Sequence, residues 1–281
     1  MAALACLGMT QAPFVHAGDR LLMTGGATQI EGSAGGGIVP WAVLSGYASD
    51  GQHGGTAFIT HVQTGDYALD AAGVAYSFNN RVEVSYARHQ LHLGTLRDRL
   101  GLPTATFGME IIGAKLRLGG DLVYTPMPQL ALSVQHKRQL NFDMPRLIGA
   151  HNDSGTDVYV SATKLFLAGA AGRNVLLNGT LRATKANQTG LLGFGGDRNA
   201  GYQTVFEGSA AVLLNPRWTV GVEYRQKPDN LGFAREDAWR DAFVGWFPNK
   251  RVAVIAAYAD LGDIVTLQSQ RGAYLSLQLS Y

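Results

Sequence analysis

The chain alternates apolar and polar residues with period two over stretches of roughly ten residues, each closed by Asn, Pro, Gly or Asp, the pattern of strands that face two different environments. Three hairpins carry it most clearly. In the first, Ala72, Val74, Tyr76 and Phe78 lead into Asn79-Asn80, and Val82, Val84 and Tyr86 then alternate with Arg81, Glu83 and Ser85. In the second, Phe206, Gly208, Ala210, Val212 and Leu214 run into Asn215-Pro216, after which Trp218, Val220, Val222 and Tyr224 alternate with Thr219, Gly221, Glu223 and Arg225. In the third, Trp246-Phe247 turns through Pro248-Asn249-Lys250 into Val252, Val254, Ala256 and Tyr258. Links this tight impose antiparallel pairing. Aromatic residues gather near the turns, where the interfacial girdle of a membrane barrel lies.

A soluble sandwich alternates as well. The last segment discriminates better: Leu275, Leu277, Leu279 and Tyr281 share one face, and Ser276, Gln278 and Ser280 the other, up to the final residue. This resembles the terminal signal of bacterial outer-membrane proteins, in which a final aromatic on the lipid face is read by the barrel assembly machinery. Counting back from Tyr281, segments near Gly272, Val252, Asp237, Arg217, Tyr202, Val175, Thr156, Gln129, Ile111, Arg81, Tyr67 and Thr56, with Ile38 and Arg20 upstream, give about fourteen strands. The number becomes twelve if Arg20 to Ala48 forms a plug or irregular segment. Short links at Asn79-Asn80, Thr125 to Pro128, Asn215-Pro216 and Pro248-Asn249 alternate with longer ones, Asn141 to Gly155 and Asn187 to Gly201. The short set is expected at the periplasmic end. The fold expected is an all-β, transmembrane, antiparallel up-and-down barrel.

Beyond residue 17 no run approaches the roughly 18 to 20 apolar residues of a spanning helix. Charged residues make up only 16% of the 281, and there are 36 glycines, a pairing that suits sheets with many bends. Lys and Arg are scattered and the net charge is +2, so there is no footprint for nucleic acid. Ala2 to Phe14 is uncharged and largely apolar and is followed by Val15-His16-Ala17, which predicts a signal peptide over residues 1–17, without a basic n-region, and a single barrel domain over 18–281. The only cysteine, Cys6, falls in that leader, so disulfides, thiolate metal sites and a cysteine nucleophile are not expected in the mature chain.

Several stretches resemble the proteobacterial family known as domain of unknown function 3034, whose members are regarded as outer-membrane proteins. They are EGSAGGGIVPW from Glu31 to Trp41, YVSATKLFL from Tyr159 to Leu167, and NGTLRATKANQTGLLGFGG from Asn178 to Gly196. EYRQKPDNL from Glu223 to Leu231, Glu236-Asp237-Ala238-Trp239, AYADLG from Ala257 to Gly262 and the closing GAYLSLQLSY continue the match. The resemblance spans the expected mature chain. It implies location in the bacterial outer membrane and a barrel fold, and supplies no catalytic residues.

The face opposite the apolar stripe offers candidate lumen residues: Arg81, Glu83, Lys115, Arg117, Lys137, Arg182, Glu207, Glu223 and Arg225. Positive groups outnumber negative ones in this set, which predicts a porin-like channel for small polar or anionic solutes if the lumen is open. Mutually neutralising pairs that fill a closed structural or adhesion barrel are the alternative. Gly35-Gly36-Gly37 and Gly193-Phe194-Gly195-Gly196 lack the Lys-Ser or Lys-Thr and the helix of a phosphate loop and read as turns. Lys185, Asn187, Gln188 and Asp197 are candidates to fold inward and constrict the pore. An outer-membrane lipid hydrolase is a third reading, but no nucleophile and base share a recognisable spacing, and His89 and His92 fall on opposite faces of a strand. No catalytic, cofactor or metal site is assigned. The partners expected are outer-membrane lipid, the barrel assembly machinery and, possible on this pattern, further copies of the chain.

Overall fold

The computed structural model describes residues 20–101 and 105–281; the expected signal peptide, residues 1–17, lies outside them. Twelve strands form a closed antiparallel barrel. They are β1 (His53–Thr64), β2 (Ala68–Phe78), β3 (Val82–His92), β4 (Thr106–Gly119), β5 (Gln129–Gln139) and β6 (Ser154–Ala170). The second half comprises β7 (Arg173–Thr184), β8 (Gln203–Asn215), β9 (Trp218–Arg225), β10 (Trp239–Asn249), β11 (Val252–Asp260) and β12 (Arg271–Ser280). Each pairs with its neighbours in sequence, and β12 closes the ring on β1 through Gly272↔Thr64 to Ser280↔Thr56. No helix among the described residues is long and apolar enough to cross a membrane.

The period-two pattern becomes the two faces of the wall. On β3, Glu83, Ser85, Ala87 and His89 are buried inward, whereas Val82, Val84 and Tyr86 are exposed outward. Between β2 and β3, Asn79 and Asn80 both take positive φ, 50° and 48°. Arg81 N–H returns to Phe78 C=O at 2.9 Å, the type I′ link whose twist matches the strands. Outward aromatics collect at this end: Tyr76 packs edge-on to Phe78 and lies 6.0 Å from Tyr281, and Trp218 stacks on Trp246 at 5.9 Å. Short links occupy this end of the barrel. The opposite end carries the longer connections, including α1 (Gly94–Leu100) and α2 (Asp143–Leu147), and a two-stranded ladder joins 150–152 to 194–196.

The two upstream segments counted near Arg20 and Ile38 are not barrel strands. Residues 27–48 are buried without interruption, inside the lumen, as a folded plug with only a two-residue ladder, Ala27–Thr28 against Ala34–Gly35. The physical reason is that the ring closes without them. A twelve-stranded wall leaves an interior wider than its own side chains fill, and this segment occupies it.

Candidate functional site: a plug seated in the lumen

The plug enters and leaves at the short-turn end, where Arg20 Nη1 donates to Leu44 C=O at 3.3 Å and Gly46 packs against Gly54 and Gly55 at the start of β1. Its middle reaches into the barrel. There Ile30, Ile38, Val39 and Val43 pack among inward side chains such as Phe58, Met109, Ile111, Phe243 and Ile255.

Glu31, at the plug's inner bend, is the electrostatic hub. Its carboxylate takes Lys137 Nζ at 2.5 Å, Arg225 Nη2 at 2.7 Å and Arg182 Nη1 at 3.5 Å, all from the wall. Asp157 shares Lys137 (2.8 Å) and Arg182 (3.2 Å), Glu207 accepts from Arg182, and Tyr159 lies flat under the Arg182 guanidinium at 4.3 Å. Burial alone would raise the pKa of Glu31, but Arg225, Lys137 and Arg182 outweigh it and hold the carboxyl well below its usual range. Removing one partner from such a buried cluster costs about 3–5 kcal/mol, because the others are left uncompensated.

Two further clamps grip the plug backbone. Lys115 Nζ donates to the carbonyls of Ala34, Trp41 and Val43 at 2.8, 2.9 and 3.0 Å, and Glu83 accepts the N–H of Ala34 and of Ser45. On the other wall, Glu223 Oε2 accepts the N–H of Gly37 (2.6 Å) and Ile38 (2.7 Å), and Ser209 donates to its second oxygen. The Gly35-Gly36-Gly37 turn is thus a cradle for a carboxylate of the same chain. A Cβ at Gly36 would stand 2.0 Å from Glu223 Oε1 and one at Gly35 2.3 Å from Val39 C=O, so neither position has room for a side chain. Asn178 and Thr180 donate to Pro40 C=O, Thr163 accepts from Ala42 N–H, and Trp41 Nε1 donates to Ser209.

The opposite end is sealed by inward-folded loops. The 3₁₀ turn Asn187–Gly190 is buried, with Gln188 and Thr189 at positive φ; Gln188 N–H donates to Glu236, and Thr189 C=O accepts from Lys137. Lys227 lies 3.0 Å from Glu236. Burial, incompletely offset by this pairing, lowers the Lys227 value and raises that of Glu236. Beside them Leu191 and Leu192 meet Val62, Leu69, Leu91 and Phe107 around a cavity of only about 30 Å³, space on the order of a single water.

Of the nine residues expected in the lumen, Glu83, Lys115, Lys137, Arg182, Glu207, Glu223 and Arg225 face inward and are buried. They touch protein, not an open channel. Arg81 is displaced from that set: it shares the parity of Glu83 but lies in the turn before β3 begins at Val82, where it is exposed. Arg117 is half-buried near the short-turn end, tied to Gly120 C=O and 4.0 Å from Asp121. Asn187 and Gln188 fold inward as expected, whereas Asp197 stays on the rim as the acceptor for Gly232 N–H and Lys185 is only half-buried.

The expected excess of positive charge is reversed. Among the described residues the buried carboxylates are Glu31, Glu83, Asp157, Glu207, Glu223, Glu236 and Asp241, and the buried Lys and Arg residues are Lys115, Lys137, Arg182, Arg225 and Lys227. The difference arises because Arg81 and Arg117 leave the set and Glu31, Asp157 and Asp241 join it, together with the pair Lys227 and Glu236. Asp157 and Asp241 sit at inward parity on β6 and β10, a signal the alternation already carried; Glu31 lies in a glycine-rich stretch without period. His89 and His92 do occupy opposite faces: His89 bonds Ile30 C=O inside, and His92 bonds Asp70 outside, together with His61. Leu275, Leu277, Leu279 and Tyr281 point outward, and Tyr281 exchanges both backbone hydrogen bonds with Gly55.

The stretches that carry the family resemblance fall largely on this machinery: Glu31 to Trp41 is the plug, Asn178 to Gly196 carries Arg182 and the inward 3₁₀ turn, and Glu223 to Leu231 carries the cradle carboxylate with Arg225 and Lys227. No curated protein matches the chain in sequence. Among solved structures it is similar in fold to a KdgM porin in complex with disordered oligogalacturonate, at 8% identity and a TM-score of 0.52, covering 80% of this chain and 99% of that one. The NanC porin is alike to a comparable degree, at 8% identity and a TM-score of 0.51, covering 80% and 98%. The family model described as "Protein of unknown function (DUF3034)" matches residues 24–278, plug and barrel together, and the chain belongs to that family.

Proposed function

We propose that this protein is a bacterial outer-membrane barrel closed at rest by its own N-proximal segment, a porin-like channel whose passage for small polar solutes waits on displacement of the plug. The observation that carries the reading is the chemistry of the seam. The plug is held by ion pairs and backbone hydrogen bonds from Glu31, Glu83, Lys115 and Glu223, groups that water can re-solvate if the plug leaves. The porin folds named above supply a precedent of architecture, and outward rows such as Leu275, Leu277 and Leu279 suit lipid. Selection for anions loses its basis, since the buried interior carries more carboxylates than cations.

A second reading, a permanently closed structural or adhesion barrel, is favoured by the sealed loop end around Leu191 and Leu192. Single-channel recording in planar bilayers separates the two. The refolded full chain is expected to be silent, and a variant lacking residues 24–48 to conduct. Silence from a heat-modifiable, correctly folded deletion variant would leave the structural barrel as the function.

A further inference from the structure

Five of the seven buried carboxylates, those of Glu31, Glu83, Asp157, Glu207 and Glu236, have a Lys or Arg nitrogen within 4.0 Å. The remaining two are Glu223 and Asp241, direct cross-strand partners on β9 and β10 and both turned inward. Glu223 is satisfied by the plug's N–H groups and Ser209. Asp241 is 7% exposed, and neither of its carboxylate oxygens has a hydrogen-bond partner. The interior's excess of two carboxylates over cations is therefore localised at this one pair, where burial of charge without a counter-charge is strongly disfavoured.

The surroundings are oxygen-rich. The position a Cβ would take on Gly37 lies 3.3 Å from Glu223 Oε2, 3.6 Å from Asp241 Oδ2 and 3.4 Å from Cζ of Tyr274. Both carboxylate oxygens and the Tyr274 ring thus gather beside Gly37. Tyr274 Oη donates to the Gly37 carbonyl at 3.4 Å, a bond that a cation between the two oxygens would replace. Two carboxylates, a phenol oxygen and a backbone carbonyl form the donor set of a hard cation, with water completing the shell. Among the described residues no group of three or more His, Cys, Asp or Glu side chains is arranged to hold a metal ion, so the set here depends on the phenol and carbonyl oxygens beside the two carboxylates.

We propose that Asp241 and Glu223, with Tyr274 Oη and the Gly37 carbonyl, bind one hard divalent cation of the calcium class at the seam between plug and wall. A charge of two neutralises the pair, and the flexible coordination of calcium tolerates a mixed set of this kind better than the octahedral demand of magnesium. The bound ion ties the plug's glycine turn to three strands of the barrel. The inference does not rest on any opening of the lumen.

Terbium luminescence tests it, because Tyr274 is a sensitiser adjacent to the site. The refolded full chain, excited in the tyrosine band, is expected to show a saturable signal displaced by calcium. Asp241→Asn is expected to weaken binding by roughly tenfold or more with the barrel still heat-modifiable; it removes the repulsion between the two carboxylates, so folding is retained. Asp260→Asn, on the outer face, serves as the control with unchanged affinity. A full chain without a calcium-displaceable site at millimolar concentration overturns the proposal. So does unchanged affinity in Asp241→Asn.

Discussion

Glu31 shows both what a single residue does here and why it was hard to find. Its neighbours in sequence, Gly32, Ser33 and Ala34, have no strand period, so nothing marks it as inward-facing, whereas Lys137, Arg182 and Arg225 are legible as inward from alternation alone. Three wall cations are legible and the carboxylate that gathers them is not, so the lumen reads from the sequence as more positive than it is. The chemistry of the cluster yields a pH dependence with a definite sign. Because the folded value of Glu31 lies well below the ordinary 4.5, its contribution is complete above that pH and is lost as the pH falls through the folded value. Glu31→Gln is therefore expected to destabilise the barrel by about 3–5 kcal/mol near neutrality. The difference should persist down to the ordinary carboxylate range and close below it. Urea unfolding in bilayers, followed by tryptophan fluorescence from pH 7 downward, measures this; a difference independent of pH would remove Glu31 from the role of hub.

At the scale of elements, the twelve barrel strands were readable because each must present one face to an apolar surround and the other to a polar interior. The plug was readable only as an exception, the segment that would have to be irregular if the count fell from fourteen to twelve. Its conformation is set by hydrogen-bond partners on nine different strands and not by local periodicity, and no local signal can encode that. The last strand, β12, carries a prediction of its own. Tyr281 is half-exposed among the aromatics at the short-turn end and packs near Tyr76, where a charge on the lipid face costs only about 0–1 kcal/mol. Tyr281→Asp should hence barely shift the unfolding midpoint of protein refolded in vitro. If the assembly machinery reads this strand, the yield of heat-modifiable barrel in cells falls several-fold all the same. Equal yields would assign Tyr281 a packing role alone.

For the molecule as a whole, the question is whether the plug occupies the lumen in a living membrane. The geometry offers a direct report. A Cβ on Gly32, at the inner bend of the plug, would lie 3.1 Å from the Cβ of Ala87 on β3, slightly inside the usual disulfide separation of about 3.5–4.5 Å. Gly32 has φ of +100°, so a cysteine there is strained, but a bend outside any long ladder can absorb a shift of a few tenths of an ångström. The sequence's single cysteine is Cys6, so residues 20–281 hold no competing thiol. Gly32→Cys with Ala87→Cys is expected to cross-link spontaneously in the oxidising periplasm, giving a faster-migrating unreduced band, and to stay unlabelled by a membrane-impermeant maleimide before reduction. Gly65→Cys with Ala87→Cys is the control: Gly65 stands in an exposed turn with nothing within 4 Å of its Cβ position, so it should remain free and label readily. An uncross-linked Gly32 pair whose thiols label as fast as Gly65→Cys would mean that water, not the plug, fills the barrel in the cell. The closed resting state, and with it the need for a displacement step, would then fall.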